Sequence, residues 1–119
     1  MIKRGEVLLL SFPFTDLRSN KVRPALVVSS DSFNGTGQEA IFVFITSKEY
    51  SGPFDLRISG ADPGFRNTGL KVPSTFRVSK LMCLEQGLVR KRLGYADKSI
   101  LTKVDSALML LLGFVAIPD

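Results

Sequence analysis

Histidine is absent from the 119 residues of the chain. Without an imidazole, the sequence excludes a paired-histidine ribonuclease mechanism, a Ser-His-Asp or Cys-His nucleophile system and an HExxH metal site. A single cysteine and no histidine also leave almost no ligands for zinc. We therefore expect a protein that needs neither a metal nor another cofactor.

Cysteine occurs once, as Cys83, so the chain cannot form an internal disulfide. This argues against a disulfide-stapled secreted module and favours a reducing, cytoplasmic setting. Cys83 itself is expected to be inert, because the sequence offers no base that would activate its thiol.

Long apolar runs are also missing. The first 14 residues, MIKRGEVLLLSFPF, are interrupted by Ser11 and Pro13 and lack a small-residue cleavage site, which predicts a first strand instead of a leader peptide. The apolar stretch from Ala107 to Ile117 is well short of the roughly 20 residues that span a bilayer. The sequence therefore predicts no membrane anchor.

The overall composition is that of an ordinary globular chain, with 45% hydrophobic and 23% charged residues. No internal repeat, linker or low-complexity segment is visible. At this length the chain fits one compact domain, residues 1–119.

The charge is positive: 16 Lys and Arg against 11 Asp and Glu give a formal +5 and a pI of about 9.7. A polyanionic partner would fit this balance. Charge alone does not separate a nucleic-acid-binding protein from a basic domain that binds no polyanion.

Short strands dominate the predicted secondary structure. Apolar or alternating segments predict strands at 5–12, 24–29, 40–46 and 54–58, and two further strands, one interrupted at Pro73 and one over 88–94, are expected at sheet edges. Residues 31–38 are expected to form a loop that turns at Asn34-Gly35. Residues 59–69 are dense in turn formers, so we expect this segment to connect without packing.

One helix is predicted near the end of the chain. Asp97 is a good N-cap, and Ile100, Val104, Leu108 and Leu111 recur at helical spacing. Gly113 is expected to end the helix. The pattern as a whole predicts a mainly β fold, a small and strongly bent sheet or barrel on which a C-terminal helix packs.

Arg23 is the most distinctive candidate for chemistry, because Pro24 stiffens the chain next to it at the mouth of an apolar strand. An arginine in this position suits bidentate recognition of a phosphate, and it would stabilise a pentacoordinate phosphorus transition state. The alternative interpretation is an arginine that merely pairs with Asp16 in the preceding loop.

Several ordered segments together resemble the MazF/PemK-like toxins. They are GEVLLLSFPFTDLRSNKVRPALVVS, then FVFITS, then LKVPSTFRVSKL, and a last helix that ends LMLLLG. The resemblance implies a small SH3-like barrel of the CcdB/PemK type with a terminal helix, and a homodimer. It also implies a metal-independent, sequence-selective endoribonuclease for single-stranded RNA, the toxin half of a pair with an acidic antitoxin.

The family's catalytic arginine matches Arg23, and its catalytic threonine matches Thr46 at the end of the strand IFVFITS. In the chemistry that the resemblance implies, the 2'-hydroxyl attacks phosphorus and leaves a 2',3'-cyclic phosphate and a 5'-hydroxyl. Arg23 would steady the phosphorane charge, and Thr46 would donate a hydrogen bond or align the 2'-hydroxyl. Without the resemblance, Thr46 is equally a β-branched residue that closes a strand. The residues expected to contact the substrate are Asp16, Lys21, Ser47 and Ser74.

Two departures from the family pattern bear on these assignments. Some members carry a glutamate where this chain has Arg18, which leaves Asp16 as the nearest substitute for the general base. Other members carry an arginine and an aspartate where this chain reads Val72-Pro73-Ser74, so Ser74 is expected to make substrate contacts only.

Two other features have ordinary structural explanations. The basic cluster Arg90-Lys91-Arg92 could track a phosphate backbone, but charges on an edge strand more often face solvent and discourage sheet-to-sheet pairing. Phe12 and Phe14 could stack on bases, although such residues more often fill a core.

A rival function is available on the same barrel. A toxin of the CcdB type would bind and poison DNA gyrase without RNA chemistry, and a third possibility is a barrel that only binds a partner. The arginine at position 23 and the strand-end threonine favour the enzyme, and the absence of tryptophan from the terminal helix weighs weakly against the gyrase poison.

Overall fold

Six antiparallel strands and two helices build the fold in a computed structural model that describes residues 2–12 and 21–116. The strands are β1 (Glu6–Ser11), β2 (Val22–Val27), β3 (Glu39–Thr46), β4 (Asp55–Ile58), β5 (Ser74–Glu85) and β6 (Val89–Tyr95). The helices are α1 (Asp31–Thr36) and α2 (Lys98–Leu111), and short 3₁₀ turns lie at Arg66–Thr68 and Gln86–Leu88.

The strands form one sheet in the order β4-β5-β3-β2-β1-β6. β6 lies at an edge, as predicted for 88–94. The edge prediction for the strand near Pro73 is wrong, because β5 begins only after that proline and pairs with β4 on one side and β3 on the other. Since a strand that starts at Ser74 has all its backbone amides available, it can pair on both sides.

Two apolar clusters lie on opposite faces of the sheet. The first core includes α2, whose Ile100, Val104 and Ala107 are buried against residues such as Phe76 and Val43. The second core has no residue from α2; it contains Leu8, Leu10, Phe12, Ala25, Val27, Ala40, Phe42 and Leu84. Most strands alternate between the two cores, because successive side chains of a strand point to opposite faces.

The C-terminal helix is confirmed in both its position and its cap. The Asp97 side chain accepts a hydrogen bond from the Ile100 amide, and Gly113 adopts a left-handed φ of 82° just beyond the helix. Hydrogen bonds from the Ser99 hydroxyl and then the Ile100 amide hold the pKa of Asp97 below its ordinary value. The apolar side of α2 packs mainly within the monomer, where Ile100, Val104 and Ala107 are part of the first core.

The two edges of the sheet are brought together by the connection after β4. Its 3₁₀ turn packs against β6, where a Cβ on Gly94 would come within 2.1 Å of the Asn67 carbonyl oxygen. Only glycine allows this approach. β4 and β6 are not paired, so the sheet curves into an open, barrel-like shape. The mainly β fold with a terminal helix is confirmed, whereas the prediction that 59–69 does not pack is wrong: Thr68 is fully buried.

The second predicted loop contains a helix. Residues 31–38 were expected to turn at Asn34-Gly35, but Ser30 caps α1 by accepting a hydrogen bond from the Phe33 amide. The side chain of Asn34 is buried and donates to the Ser29 carbonyl. The turn prediction is wrong because a cap and a buried amide stabilise one and a half helical turns there.

No helix within the described part of the chain is long and apolar enough to cross a membrane.

Candidate functional site

The candidate site lies where β2 begins and β3 ends. Arg23 is the second residue of β2, and Thr46 is the last residue of β3. Ala25 pairs with Phe44, so continuing this antiparallel register by two residues brings Arg23 beside Thr46. Both residues line one cavity of about 270 Å³. β2 starts two residues earlier than predicted, which places Arg23 inside a strand instead of in the preceding loop.

The two side chains extend the face of the sheet that carries the second core. Arg23 lies two residues before Ala25, and Thr46 lies two residues after Phe44, so each shares a face with a residue of that cluster or packed against it. Packing of the second core holds β2 and β3 in position, and Arg23 and Thr46 lie on the same face just beyond this core. This geometry positions the guanidinium and the hydroxyl on rigid elements.

The cavity has a positive lining. Among the described residues, no carboxylate lies within 4.0 Å of the Arg23 guanidinium, and the described residues that line the cavity include Lys71 but no aspartate or glutamate. A guanidinium without a carboxylate partner keeps its donors available to an anion such as a phosphate.

One lone pair of the Thr46 hydroxyl is already engaged in a hydrogen bond. Its Oγ1 accepts a hydrogen bond from the Lys48 amide at 3.2 Å. Because a hydroxyl has one proton and two lone pairs, this contact leaves the proton of Thr46 free to be donated into the cavity.

The other predicted substrate contacts differ in their surroundings. Ser47 is exposed and lines the cavity, and Lys21 is exposed directly before β2. Ser74 also lines the cavity, but it is only 3% exposed, and its hydroxyl donates to the Val72 carbonyl at 2.9 Å. Asp16 lies outside the described residues, as does Arg18.

A second cavity of about 380 Å³ adjoins the first at Arg23. Its wall includes Phe12 and Phe44, whose rings meet edge to face with centroids 5.7 Å apart. Phe12 is buried in the second core, as expected from the residue type. Phe14 lies outside the part of the chain that the structure describes.

Two basic residues near the cavities were not predicted from the sequence. Arg77, which lines the second cavity, bonds to Asp55 at 3.1 Å and lies 3.6 Å from the centre of the Tyr50 ring. Arg57 donates to the backbone directly after Thr46. In the sequence both arginines occupy polar positions of segments that alternate between apolar and polar residues. This pattern indicates solvent exposure and does not indicate a functional site.

The basic cluster on β6 is partly neutralised. Arg92 forms an ion pair with Glu6 at 2.7 Å, whereas Arg90 and Lys91 are exposed at the sheet edge. This arrangement fits the interpretation of a solvated edge better than that of a phosphate track.

In residues 2–12 and 21–116, no three Cys, Asp or Glu side chains come together as a group that could hold a metal ion. The expectation that the protein works without a metal stays a prediction.

A comparison with protein families finds a match over most of the chain. The family described as "PemK-like, MazF-like toxin of type II toxin-antitoxin system" matches residues 3–112. One curated relative, "Probable endoribonuclease MazF" of Mycolicibacterium smegmatis, is 25% identical over 95 residues, which are 80% of this chain and 84% of that protein.

Solved structures share the fold over nearly the whole chain. A mycobacterial endoribonuclease in complex with its cognate antitoxin superposes with a TM-score of 0.77 at 18% identity, covering 98% of this chain and 100% of that one. MazF from Deinococcus radiodurans superposes with a TM-score of 0.73 at 24% identity, covering 94% and 96%.

Proposed function

The chain belongs to the PemK-like, MazF-like toxins of type II toxin-antitoxin systems, and from this membership we propose that it is a sequence-selective endoribonuclease of single-stranded RNA. The proposal covers residues 1–119 as one toxin domain that acts in the cytoplasm, where its substrate is found. It places the reaction in the cavity between Arg23 and Thr46.

The observation that carries the proposal is that a guanidinium with no carboxylate partner among the described residues lies next to a hydroxyl whose proton is available. Arg23 has no carboxylate partner among the described residues, and Thr46 keeps its proton available. RNA scission needs donors of this kind at the phosphate, since negative charge develops on the non-bridging oxygens in the transition state.

In the proposed reaction the 2'-hydroxyl loses its proton and attacks the adjacent phosphorus, and the 5'-oxygen leaves and takes up a proton. The products are a 2',3'-cyclic phosphate and a 5'-hydroxyl. The nucleophile belongs to the substrate, so no metal is required to generate it. Arg23 stabilises the phosphorane charge, and Thr46 donates to a non-bridging oxygen or aligns the attacking hydroxyl.

The remaining predicted residues hold the RNA around this step. Lys21 and Ser47 are exposed beside the cavity and would contact the backbone of the substrate. Ser74 would contribute a lone pair, because its proton is donated to Val72. Asp16 is proposed as a substrate contact and as the nearest candidate for the general base.

Two protein partners complete the proposal. An acidic antitoxin would cover the cavity and pair with Arg23; a solved structure of the same fold is described as a complex with its cognate antitoxin. A homodimer is supported by apolar side chains that remain exposed at the end of α2 and beyond it: Met109, Leu112, Phe114 and Val115. Two copies would double the formal charge of +5 and strengthen attraction to RNA.

The test is cleavage of single-stranded RNA in excess EDTA, followed by analysis of the product ends. We expect cleavage at defined sequences, at a rate that chelation leaves unchanged, with 5'-hydroxyl and cyclic phosphate ends. A gyrase supercoiling assay runs in parallel with the same preparation. Cleavage that stops on chelation would refute the metal-free chemistry. Growth arrest with gyrase inhibition and no RNA cleavage would favour the gyrase poison.

A further inference from the structure

Three side chains stand in line across neighbouring strands next to the candidate site. Thr46 on β3 is in register with Thr75 on β5, and Thr75 is in register with Arg57 on β4. The alignment puts Arg57 two strands away from Thr46 on the same face of the sheet. With β5 between them, the side chains of Arg57 and Thr46 are too far apart for a direct contact. Any influence of Arg57 on Thr46 therefore passes through the groups that lie between them.

Those groups are hydrogen-bonded to Arg57. Its Nη1 donates to the Ser47 carbonyl at 2.9 Å, to the Lys48 carbonyl at 3.3 Å and to Thr75 Oγ1 at 3.0 Å. The Thr75 hydroxyl donates in turn to the Lys48 carbonyl at 2.9 Å, and Thr75 is fully buried. The carbonyl of Lys48 is thus held by two donors.

The other end of Lys48 holds Thr46. The Lys48 amide donates to Thr46 Oγ1 at 3.2 Å, and this contact selects which way the hydroxyl proton points. The hydrogen bonds thus form one continuous path from Arg57 to Thr46, through the carbonyl and the amide of Lys48. A charged donor makes the bonds at its start stronger than those between neutral groups.

We infer that Arg57 is a positioning residue, which clamps the Ser47-Lys48 turn and thereby orients the Thr46 hydroxyl toward the substrate. The inference rests on the proposed function for its kinetic consequences, although the clamp itself is a property of the free protein. Arg57 also lies 3.8 Å from Glu49, but the Glu49 side chain is 86% exposed, so this ion pair contributes little.

The competing explanation is that Arg57 binds a phosphate of the RNA directly. The two roles predict different changes in KM, kcat and the salt dependence when Arg57 is replaced. A phosphate contact adds binding energy and a released counterion, so its loss raises KM and lowers the salt dependence. A positioning role affects the transition state, so its loss lowers kcat and leaves KM and the salt dependence near those of the wild type.

The kinetic experiment compares Arg57→Gln with Lys103→Gln, which removes the same charge from an exposed site on α2. We expect Arg57→Gln to lower kcat roughly tenfold, since small misplacements of reacting groups are costly. Lys103→Gln should retain the wild-type kcat. Arg57→Lys should recover part of the loss, because an ammonium can still donate to the turn carbonyls.

A double-mutant cycle with Thr46→Val then tests the path itself. If Arg57 acts through the Thr46 hydroxyl, Arg57→Gln has no further effect once that hydroxyl is gone. Multiplicative losses in the double variant, or a raised KM with a weaker salt dependence, would overturn the inference. Should Arg57→Gln fail to fold, Thr75→Val keeps the side-chain volume and removes one link, and the same non-additivity is expected with a loss of about threefold.

Amide hydrogen exchange separates this inference from the proposed function. Arg57→Gln should increase the exchange rate of the Lys48 amide severalfold while amides in α2 keep their protection. Unchanged exchange at Lys48 would overturn the clamp whether or not the protein cleaves RNA. A wild-type protein that cleaves no RNA would refute the proposed function, and the exchange data would still decide whether Arg57 holds the turn.

Discussion

Arginines in two regions of the molecule differ in what their guanidinium groups contact. Near the chain start, Arg4 pairs with Asp105 of α2 and Arg92 pairs with Glu6 of β1. In the cavity between β2 and β3, Arg23 has no carboxylate partner in the described part of the chain. The first arrangement connects elements of the fold, and the second leaves positive charge available for an external anion. The net charge of the chain is the same under either arrangement, so only the local pairing identifies the site.

The largest expected effect is on catalysis, at Arg23. Arg23→Ala should lower the RNA cleavage rate by a factor on the order of 10² to 10³, because the guanidinium stabilises charge that develops in the transition state. The variant should fold normally, since a partly exposed arginine that has no ion pair with any residue in 2–12 or 21–116 contributes little to stability. Thr46→Val, which keeps the shape and removes the hydroxyl, should cause a comparable loss. Rates and thermal melting curves provide the measurements.

The matched control for that experiment is Arg92→Ala. It removes a paired arginine of the other region and should leave the cleavage rate near that of the wild type. A folded Arg23→Ala variant that cleaves at the wild-type rate would contradict the assignment. Equal losses in the two variants would show that charge anywhere on the surface matters, and would remove the contrast between the regions.

A smaller effect, on stability, is expected from the paired region. Asp105→Asn should lower the free energy of unfolding by about 0.5 kcal/mol, because a partly exposed ion pair is screened by solvent. Urea denaturation measures the change. RNA cleavage should be unaffected, and a reduced rate in the folded variant would connect this region to the site after all.

The smallest effect concerns the carboxylate of Asp97, which is stabilised by hydrogen bonds from the Ser99 hydroxyl and the Ile100 amide instead of by a cation. The pKa of Asp97 is lowered below 3.8 in the folded protein, so its contribution to stability is present above that pH and is lost as the pH falls through the folded pKa. Asp97→Ala should therefore unfold at lower urea concentration than the wild type at pH 7, and the difference should shrink below about pH 4. A gap in urea midpoint that persists at low pH would indicate that the carboxylate charge is not responsible.

Local signals in the sequence predict some elements well. The helix α2 was predictable from its cap and its periodic apolar residues, because both act within a few residues of chain. β1 and β3 were predictable within one residue at each end from their apolar composition. In contrast, α1 was not predicted. The Asn34-Gly35 pair indicates a turn, and the burial of Asn34, which supports the helix, is visible only in the structure.

The candidate site was only partly predictable. Arg23 was named from its place next to Pro24 before an apolar strand and then from the resemblance to a toxin family, Thr46 was named as catalytic from that resemblance, and the structure brings the two into one cavity. Arg57 and Arg77 gave no comparable signal, since alternation along a strand indicates which side chains leave the core and says nothing of what they meet there. What they meet depends on the neighbouring strand, which is chosen by the topology of the whole sheet.

The sequence by itself determined the classes of chemistry that this protein lacks, the positive balance of charge and the elements whose signals are local. Absent histidines and a lone cysteine are properties of composition, and no fold changes them. Tertiary structure decided which residues became neighbours. Arg23 stands beside Thr46, and Arg57 in line with Thr75, because the two apolar cores on opposite faces of the sheet fix the register of its strands. Glycines at positions 69 and 94 let the opposite edges of that sheet approach, because a Cβ on Gly69 would come within 2.0 Å of the Leu93 carbonyl oxygen and one on Gly94 within 2.1 Å of the Asn67 carbonyl oxygen.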